Sequence, residues 1–108
     1  MPFYGGQVTY PVPFASARVV LRLAGPWPAP VVSSTLSRLV SQPRLTLRAR
    51  TQADITVRVE RREQATWRLM VEQTGPEFSF LVKSQGKPVR VWVQGDTPGW
   101  VELIETRG

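Results

Sequence analysis

The chain has 108 residues, contains neither cysteine nor histidine, and carries a formal net charge of +6 at pH 7. A chain of this length fits one domain built around a single hydrophobic core. The lack of cysteine excludes disulfides and thiolate metal sites, and the lack of histidine removes the commonest general base and imidazole metal ligand. No apolar run approaches the ~18 residues that span a membrane, and the N-terminus lacks the basic and apolar regions of a secretory signal. We therefore expect no metal, no cofactor, and a location in the cytoplasm or in a virion.

The N-terminal segment, residues 1–16, is apolar and aromatic, is stiffened by prolines, and has a hinge at Gly5-Gly6. This segment is too apolar for a solvated tail and too rich in proline for a central strand. We interpret it as an extended arm, followed by one β domain over residues 17–108. An arm of this kind suits a neighbouring subunit that offers pockets for its rings, although folding back on its own domain is the alternative. The rings in question are Phe3, Tyr4, Tyr10 and Phe14.

The segment after the arm contains one clear strand and one ambiguous stretch. Residues 17–23 alternate between apolar and polar side chains and predict a strand. Residues 31–41 permit two interpretations. Either Ser33 or Ser34 caps a short helix with apolar residues at helical spacing, or Val31–Val40 is another strand.

From residue 44 onward, apolar and polar residues alternate with a period of two, which is typical of half-buried strands. The six alternating segments are Leu45–Arg50, Ile55–Glu60, Trp67–Glu72, Phe78–Lys83, Val89–Val93 and Trp100–Glu105. Short turn-forming stretches separate them and predict an antiparallel meander. Together with one or two N-terminal strands, this meander predicts an all-β small barrel or sandwich with at most one short helix.

The predicted turns lie at residues 51–53, 63–65, 74–77, 85–86 and 95–99. Each turn fixes which residues of consecutive strands face each other. The first turn sets Ala49 against Ile55, which keeps apolar residues on one face. For the second turn we prefer the register that sets Glu60 against Arg68, because opposite charges across a strand pair attract.

Catalytic equipment is missing from the sequence. The carboxylates fall in predicted turns or on outward strand positions, and no two of them converge as glycoside hydrolysis requires. A serine nucleophile needs an activating base, and no histidine is present to act as one. No phosphate-binding loop and no metal-ligand spacing appears. We therefore expect the protein not to be an enzyme.

Several large apolar residues fall on positions that face away from the predicted core. They are Val20, Met70, Leu81, Trp92 and either Trp100 or Ile104. A two-layer monomer does not expose so many large apolar groups, so either another subunit or residues 1–43 cover them. We expect Met70, Leu81, Trp92 and Trp100 to join the arm in subunit contacts. The expected function is a structural assembly subunit in a homo- or hetero-oligomer, most concretely a phage capsid, decoration or tail component.

An alternative function follows from the basic residues, because all but Lys83 and Lys87 are arginine. Outward positions of neighbouring strands hold Arg48, Arg58, Arg68 and Arg90, with Trp92 among them. Single-stranded nucleic-acid binders use such surfaces, because arginines follow phosphates and rings stack on bases. The alternative is therefore a single-stranded nucleic-acid-binding protein, and an acidic protein surface is a further anionic partner.

Overall fold

The computed structural model describes residues 16–36 and 44–107, and these residues form strands and no helix. The strands are β1 (Ser16–Ala24), β2 (Trp27–Val32), β3 (Arg44–Glu63), β4 (Thr66–Val82), β5 (Val89–Gly95) and β6 (Gly99–Arg107). Every strand pair is antiparallel. The all-β fold class is confirmed, with six strands in one sheet that curls into a half-barrel.

The long strand β3 organises the sheet. On one side β3 pairs with β4 over almost its entire length. On the other side its first half pairs with β6 and its second half pairs with β5. Strand β1 then pairs with β6, and β2 pairs with β5. Among the described strands the sheet therefore has two open edges, one formed by β4 and the other by β1 and β2.

At the middle of the sheet β1 ends and β2 begins, β5 ends and β6 begins, and the pairing of the continuous strands β3 and β4 shifts register. We call this line the bend. The amide of Gly25 donates to the carbonyl of Gly99 at 2.9 Å, and the amide of Gln52 donates to the carbonyl of Pro98 at 3.2 Å. Gly95 meets β3 here so closely that an added Cβ would lie 2.4 Å from the Cγ2 atom of Ile55. A residue without a side chain is needed at this crossing.

The core is built from alternating residues of β3, β5 and β6, as the period of two predicted. Fully or almost fully buried are Trp27, Leu45, Leu47, Ala49, Ile55, Val57, Val59, Val82, Val89, Val91, Val93, Val101 and Leu103. Both halves of β3 contribute to this one cluster. The curl of the sheet therefore brings the two halves of the same strand around a shared interior.

Two of the predicted turns are wrong, because the chain continues as a strand through both of them. Strand β3 passes through residues 51–53, and Ala49 faces Phe78 and Val101 rather than Ile55. Strand β4 likewise passes through residues 74–77. Polar residues, glycine and proline mark the bend at both places, and the same residue types mark hairpin turns.

Two further predicted connections have a different geometry from the expected hairpins. Residues 85–86 do form a turn, closed by the amide of Lys87 and the carbonyl of Ser84 at 3.0 Å. However, the turn leads the chain from β4 to β5 on the opposite side of β3. Residues 95–99 join β5 and β6, which lie one after the other along the same side of β3. Neither connection therefore sets its two strands against each other.

The turn at residues 63–65 is the one predicted hairpin that joins paired neighbours, β3 and β4. Its preferred register is wrong, because Arg68 faces Arg61 and Glu60 faces Leu69. The tight turn around Gln64 fixes this register. Glu63, which lies 2.7 Å from Arg61 and 3.9 Å from Arg68, offsets the repulsion between the two guanidinium groups.

The ambiguous segment is strand at its start. Val31 and Val32 end β2, Ser33 to Thr35 have no regular structure, and Leu36 forms an isolated bridge with Val89. No helix begins within this described part, and residues 37–41 of the segment lie outside the described residues. Prolines fit in β2 because it is an edge strand.

Candidate functional site

The face of the sheet opposite the core, which we call the outer face, carries charged and aromatic side chains. It includes alternate residues of β3 from Arg44 to Arg62, which point away from the buried ones. Cross-strand pairing places the partners of these residues on the same face. The bend divides the outer face into a first half over β6 and a second half over β5.

In the second half, aromatic rings and carboxylates partner the arginines. The guanidinium group of Arg58 lies over the ring of Trp92 at 4.2 Å and forms an ion pair with Glu72. These three residues occupy one row across β4, β3 and β5. Stacking over an indole ring adds to the ion pair and holds the guanidinium group in place.

A second group of the same kind lies beside it. Arg90 lies over the ring of Trp67 at 4.2 Å, and its Nε atom donates to Glu60 at 2.6 Å. Together with the previous row it forms the paired patch, consisting of Arg58, Glu60, Trp67, Glu72, Arg90 and Trp92. Two arginines and two glutamates cancel each other, so this patch carries no net charge.

The first half of the outer face differs in its charge balance. Trp100 lies between Arg22 and Arg48, whose guanidinium carbons are 5.7 and 5.9 Å from the ring centre. Glu102 pairs with Arg22 at 3.0 Å. Within residues 16–36 and 44–107, Arg48 and Arg50 form no ion pair.

A groove of ≈ 320 Å³ opens beside these arginines. It is lined by Arg48, Ala49, Arg50, Glu77, Phe78, Ser79 and Trp100. The groove thus combines two guanidinium groups, one indole ring and a hydroxyl group, and one carboxylate.

The predicted nucleic-acid residues are not all brought together. Arg58, Arg90 and Trp92 meet in the paired patch, whereas Arg48 lies in the other half of the outer face. Arg68 faces Arg61 on the core side of the sheet, at the end of the hairpin. The alternation placed Arg68 outward, and this placement is wrong because an extra residue in β4 between Leu69 and Val71 reverses which residues face the core.

The predicted contact residues lie on several surfaces. Leu81 is 53% exposed on the outer face, and it lines a small groove of ≈ 140 Å³ together with Met70. Trp92 and Trp100 are half-buried beneath arginines. The predicted contact rings of the arm lie outside the described residues. Sequence reasoning missed Leu69, which was expected inside and is 51% exposed because of the bulge.

Exposed large hydrophobic residues are confined to the edge strands in the described part of the chain. They are Val19 in β1, Val31 and Val32 in β2, and Leu69 and Leu81 in β4. The interior strands β3, β5 and β6 expose none within residues 44–107. Apolar side chains along an open sheet edge favour contact with another polypeptide.

A buried arginine joins the two ends of the curled sheet. The Nη1 atom of Arg61 donates to the carbonyl of Lys83 at 2.9 Å, and its Nε atom donates to Glu63 at 2.8 Å. Lys87 approaches the same carboxylate at 3.4 Å. The hydrogen bond from Arg61, and that from Lys87, hold the pKa of Glu63 below its ordinary value of 4.5.

Among the described residues, no three acidic side chains converge into a cluster that would hold a metal ion. Residues 16–36 and 44–107 also contain no helix of the length and apolarity needed to cross a bilayer. Neither a protein-family model nor a curated protein sequence matches the chain.

Proposed function

We propose that the protein is a non-enzymatic structural subunit that assembles through the open edges of its half-barrel. The observation that carries this proposal is the confinement of exposed large hydrophobic residues to the edge strands. β4 is the longer edge, with 17 residues that pair with β3 alone among the described strands. An open edge of this length offers backbone amides and carbonyls to a further strand.

The positions of the prolines determine which parts of the edges are suited to pairing with a further strand. Pro28 and Pro30 interrupt β2, since proline has no amide to donate. β1 has no proline, and β4 has only Pro76, which lies at the bend. The stretches suited to pairing are therefore β1 and the two halves of β4, and these stretches also hold Val19, Leu69 and Leu81.

The paired patch supports assembly rather than binding of an anion. Its arginines already hold carboxylates, so an incoming phosphate would have to displace Glu60 or Glu72. Arginine and tryptophan held in this way are suited to protein interfaces, where both residue types are enriched. A virion is the most concrete assembly of this kind, with the arm over residues 1–16 bridging to a neighbouring subunit.

The oligomeric state tests the edge proposal. We expect sedimentation velocity of the full chain to show an oligomer whose population rises with concentration. The double variant Leu69→Lys and Leu81→Lys should sediment as a monomer, because it puts two charges on the β4 edge. The control Gln52→Lys and Gln94→Lys adds the same charge at exposed positions of β3 and β5, and it should remain oligomeric.

Two results would overturn the edge proposal. One is a wild-type chain that stays monomeric at several hundred micromolar. The other is a β4 variant that remains as oligomeric as its control while keeping a native circular dichroism spectrum. Deleting residues 1–15 from the full chain separates the arm from the edges, since loss of assembly only in the deletion assigns the contact to the arm.

A further inference from the structure

Among the described side chains, three of the four arginines without an ion pair lie on one strand segment, and the fourth, Arg62, lies at the hairpin end of β3. Arg44, Arg48 and Arg50 occupy alternate positions on the outer face of β3, with Thr46 between the first two. In the described residues none of these three arginines forms an ion pair. The segment from Arg44 to Arg50 extends for about 20 Å at the usual rise per residue of a strand. We call these three arginines the basic track.

The other half of β3 shows that an excess of arginine does not by itself explain the unpaired charge of the basic track. Arg58 points from the same face of the same strand, and it pairs with Glu72 and stacks on Trp92. Beside the basic track the equivalent carboxylate, Glu102, pairs with Arg22 instead of Arg48. The track therefore keeps its charge unpaired, although Glu102 faces Arg48 and Glu77 faces Arg50 in the register of the sheet.

Apolar and aromatic groups lie next to the track. Trp100 in β6 faces Arg50 in β3, and the groove beside Arg48 and Arg50 reaches the ring of Trp100. One row nearer the end of the sheet, Thr46 faces Leu81 on one side and Ile104 on the other. Bases can stack on or lie against such surfaces while phosphates follow the arginines.

We infer that the basic track and Trp100 form a binding site for single-stranded nucleic acid, with the strand lying along the first half of β3. This site uses side chains of the outer face next to the β4 edge rather than the backbone groups of that edge, and it replaces the arginine set that the sequence alone indicated. Three guanidinium groups in a line suit a linear polyanion with regularly repeated charges. A ring beside them suits a polyanion that also carries planar bases.

Fluorescence anisotropy of a labelled 20-nucleotide oligothymidylate tests the inference with the full chain. For about three phosphate contacts, the slope of log K against log salt is about −2, so affinity falls roughly 20-fold between 50 and 200 mM salt. The double variant Arg48→Gln and Arg50→Gln removes two of these contacts. Its slope should fall to about −0.7, with a loss of only about threefold over the same range.

A matched control separates a defined site from general attraction. Arg62→Gln with Arg68→Gln removes the same net charge from exposed arginines at the other end of β3 and in β4. This control should keep the wild-type salt slope and bind with at most about twofold weaker affinity. Equal weakening in both double variants would overturn the inference, because net charge alone would then explain binding. Absence of wild-type binding at 50 mM salt would overturn it as well.

The aromatic contribution has its own control. Trp100→Leu should weaken oligothymidylate binding by about 5-fold to 150-fold, the range of one stacked base, whereas Trp92→Leu should leave binding unchanged. Poly-glutamate of matched charge should compete poorly, since it offers no bases. Competition equal to that of unlabelled oligothymidylate would assign the track to acidic proteins instead. Thermal melts of each variant confirm that the fold is retained.

Discussion

The buried arginine that joins the ends of the half-barrel gives the sharpest stability prediction. Arg61→Met keeps an unbranched apolar stem in the same space but removes the guanidinium group. The side chain of Arg61 is only 8% exposed, and its Nη1 atom donates to the carbonyl of Lys83 at 2.9 Å. A hydrogen bond from a charged group contributes about 1.5–3 kcal/mol, and the carbonyl loses this donor.

The second partner of Arg61 adds less to the expected loss. Glu63 is 25% exposed, so water and Lys87 can replace part of the lost ion pair. A partly exposed pair of this kind contributes about 0–1 kcal/mol. The free energy of unfolding should therefore fall by about 1.5–4 kcal/mol for Arg61→Met. For a domain near 100 residues this corresponds to a drop in melting temperature of about 7–20 °C.

Urea unfolding followed by tryptophan fluorescence at pH 7 measures this loss. Arg68→Met is the matched control, because Arg68 approaches the same carboxylate at 3.9 Å with its side chain 68% exposed. The control should change the free energy of unfolding by less than about 0.5 kcal/mol. If Arg61→Met is no more destabilising than Arg68→Met, the closing role assigned to Arg61 is wrong.

Three further predictions concern the bend and the hairpin end. Gly95→Ala should reduce the free energy of unfolding by about 1–3 kcal/mol, because the added Cβ would overlap Ile55. In urea melts the double variant Gly95→Ala and Ile55→Ala should lose less stability than the sum of the two single variants. Glu63→Gln should make the fall in melting temperature below pH 4.5 less steep. The hydrogen bond from Arg61 lowers the pKa of Glu63 in the folded state, so the stabilisation that this carboxylate contributes is complete above pH 4.5. That stabilisation is lost as pH falls through the lowered pKa. Parallel wild-type and variant curves between pH 3 and 7 would contradict this. Thr97→Val should cost about 1–2 kcal/mol in the same melts, since the buried hydroxyl of Thr97 accepts a backbone amide of β3 at 3.1 Å, and an unchanged midpoint would contradict that role.

The sequence predicted which residues face the core more reliably than which strands are neighbours. The apolar positions from Leu45 to Val59 are buried as the period of two indicated, because alternation depends only on local backbone geometry. Neighbour relations failed at residues 51–53 and 74–77. A bend in a long strand and a hairpin turn use the same polar residues, glycine and proline, so local composition does not distinguish them.

For the candidate site too, the sequence predicted which face of the sheet a residue occupies more reliably than which residues are its neighbours. Alternation correctly placed Arg48, Arg58 and Arg90 on the outer face. Which arginine keeps a carboxylate depends on register, and the register came from hairpins that the chain does not form. Arg68 and Leu69 lie on the faces opposite to those predicted because β4 contains one extra residue, and no residue type in the sequence indicates such a bulge.

The long bent strands also decide which surfaces can act independently. Closed hairpins would have left short strands, whereas the continuous β3 and β4 produce an open edge on one side and an arginine row along the sheet. Edge pairing uses backbone groups of β4, and the basic track uses side chains of β3 that point away from the core. The two surfaces adjoin along the first half of β3, because Leu81 borders the row that contains Thr46, and residues 77–79 of β4 line the groove beside Arg48 and Arg50. Arg48, Arg50 and Trp100 lie on β3 and β6, so the proposed pairing through the backbone of β4 would leave these three side chains on the outer face.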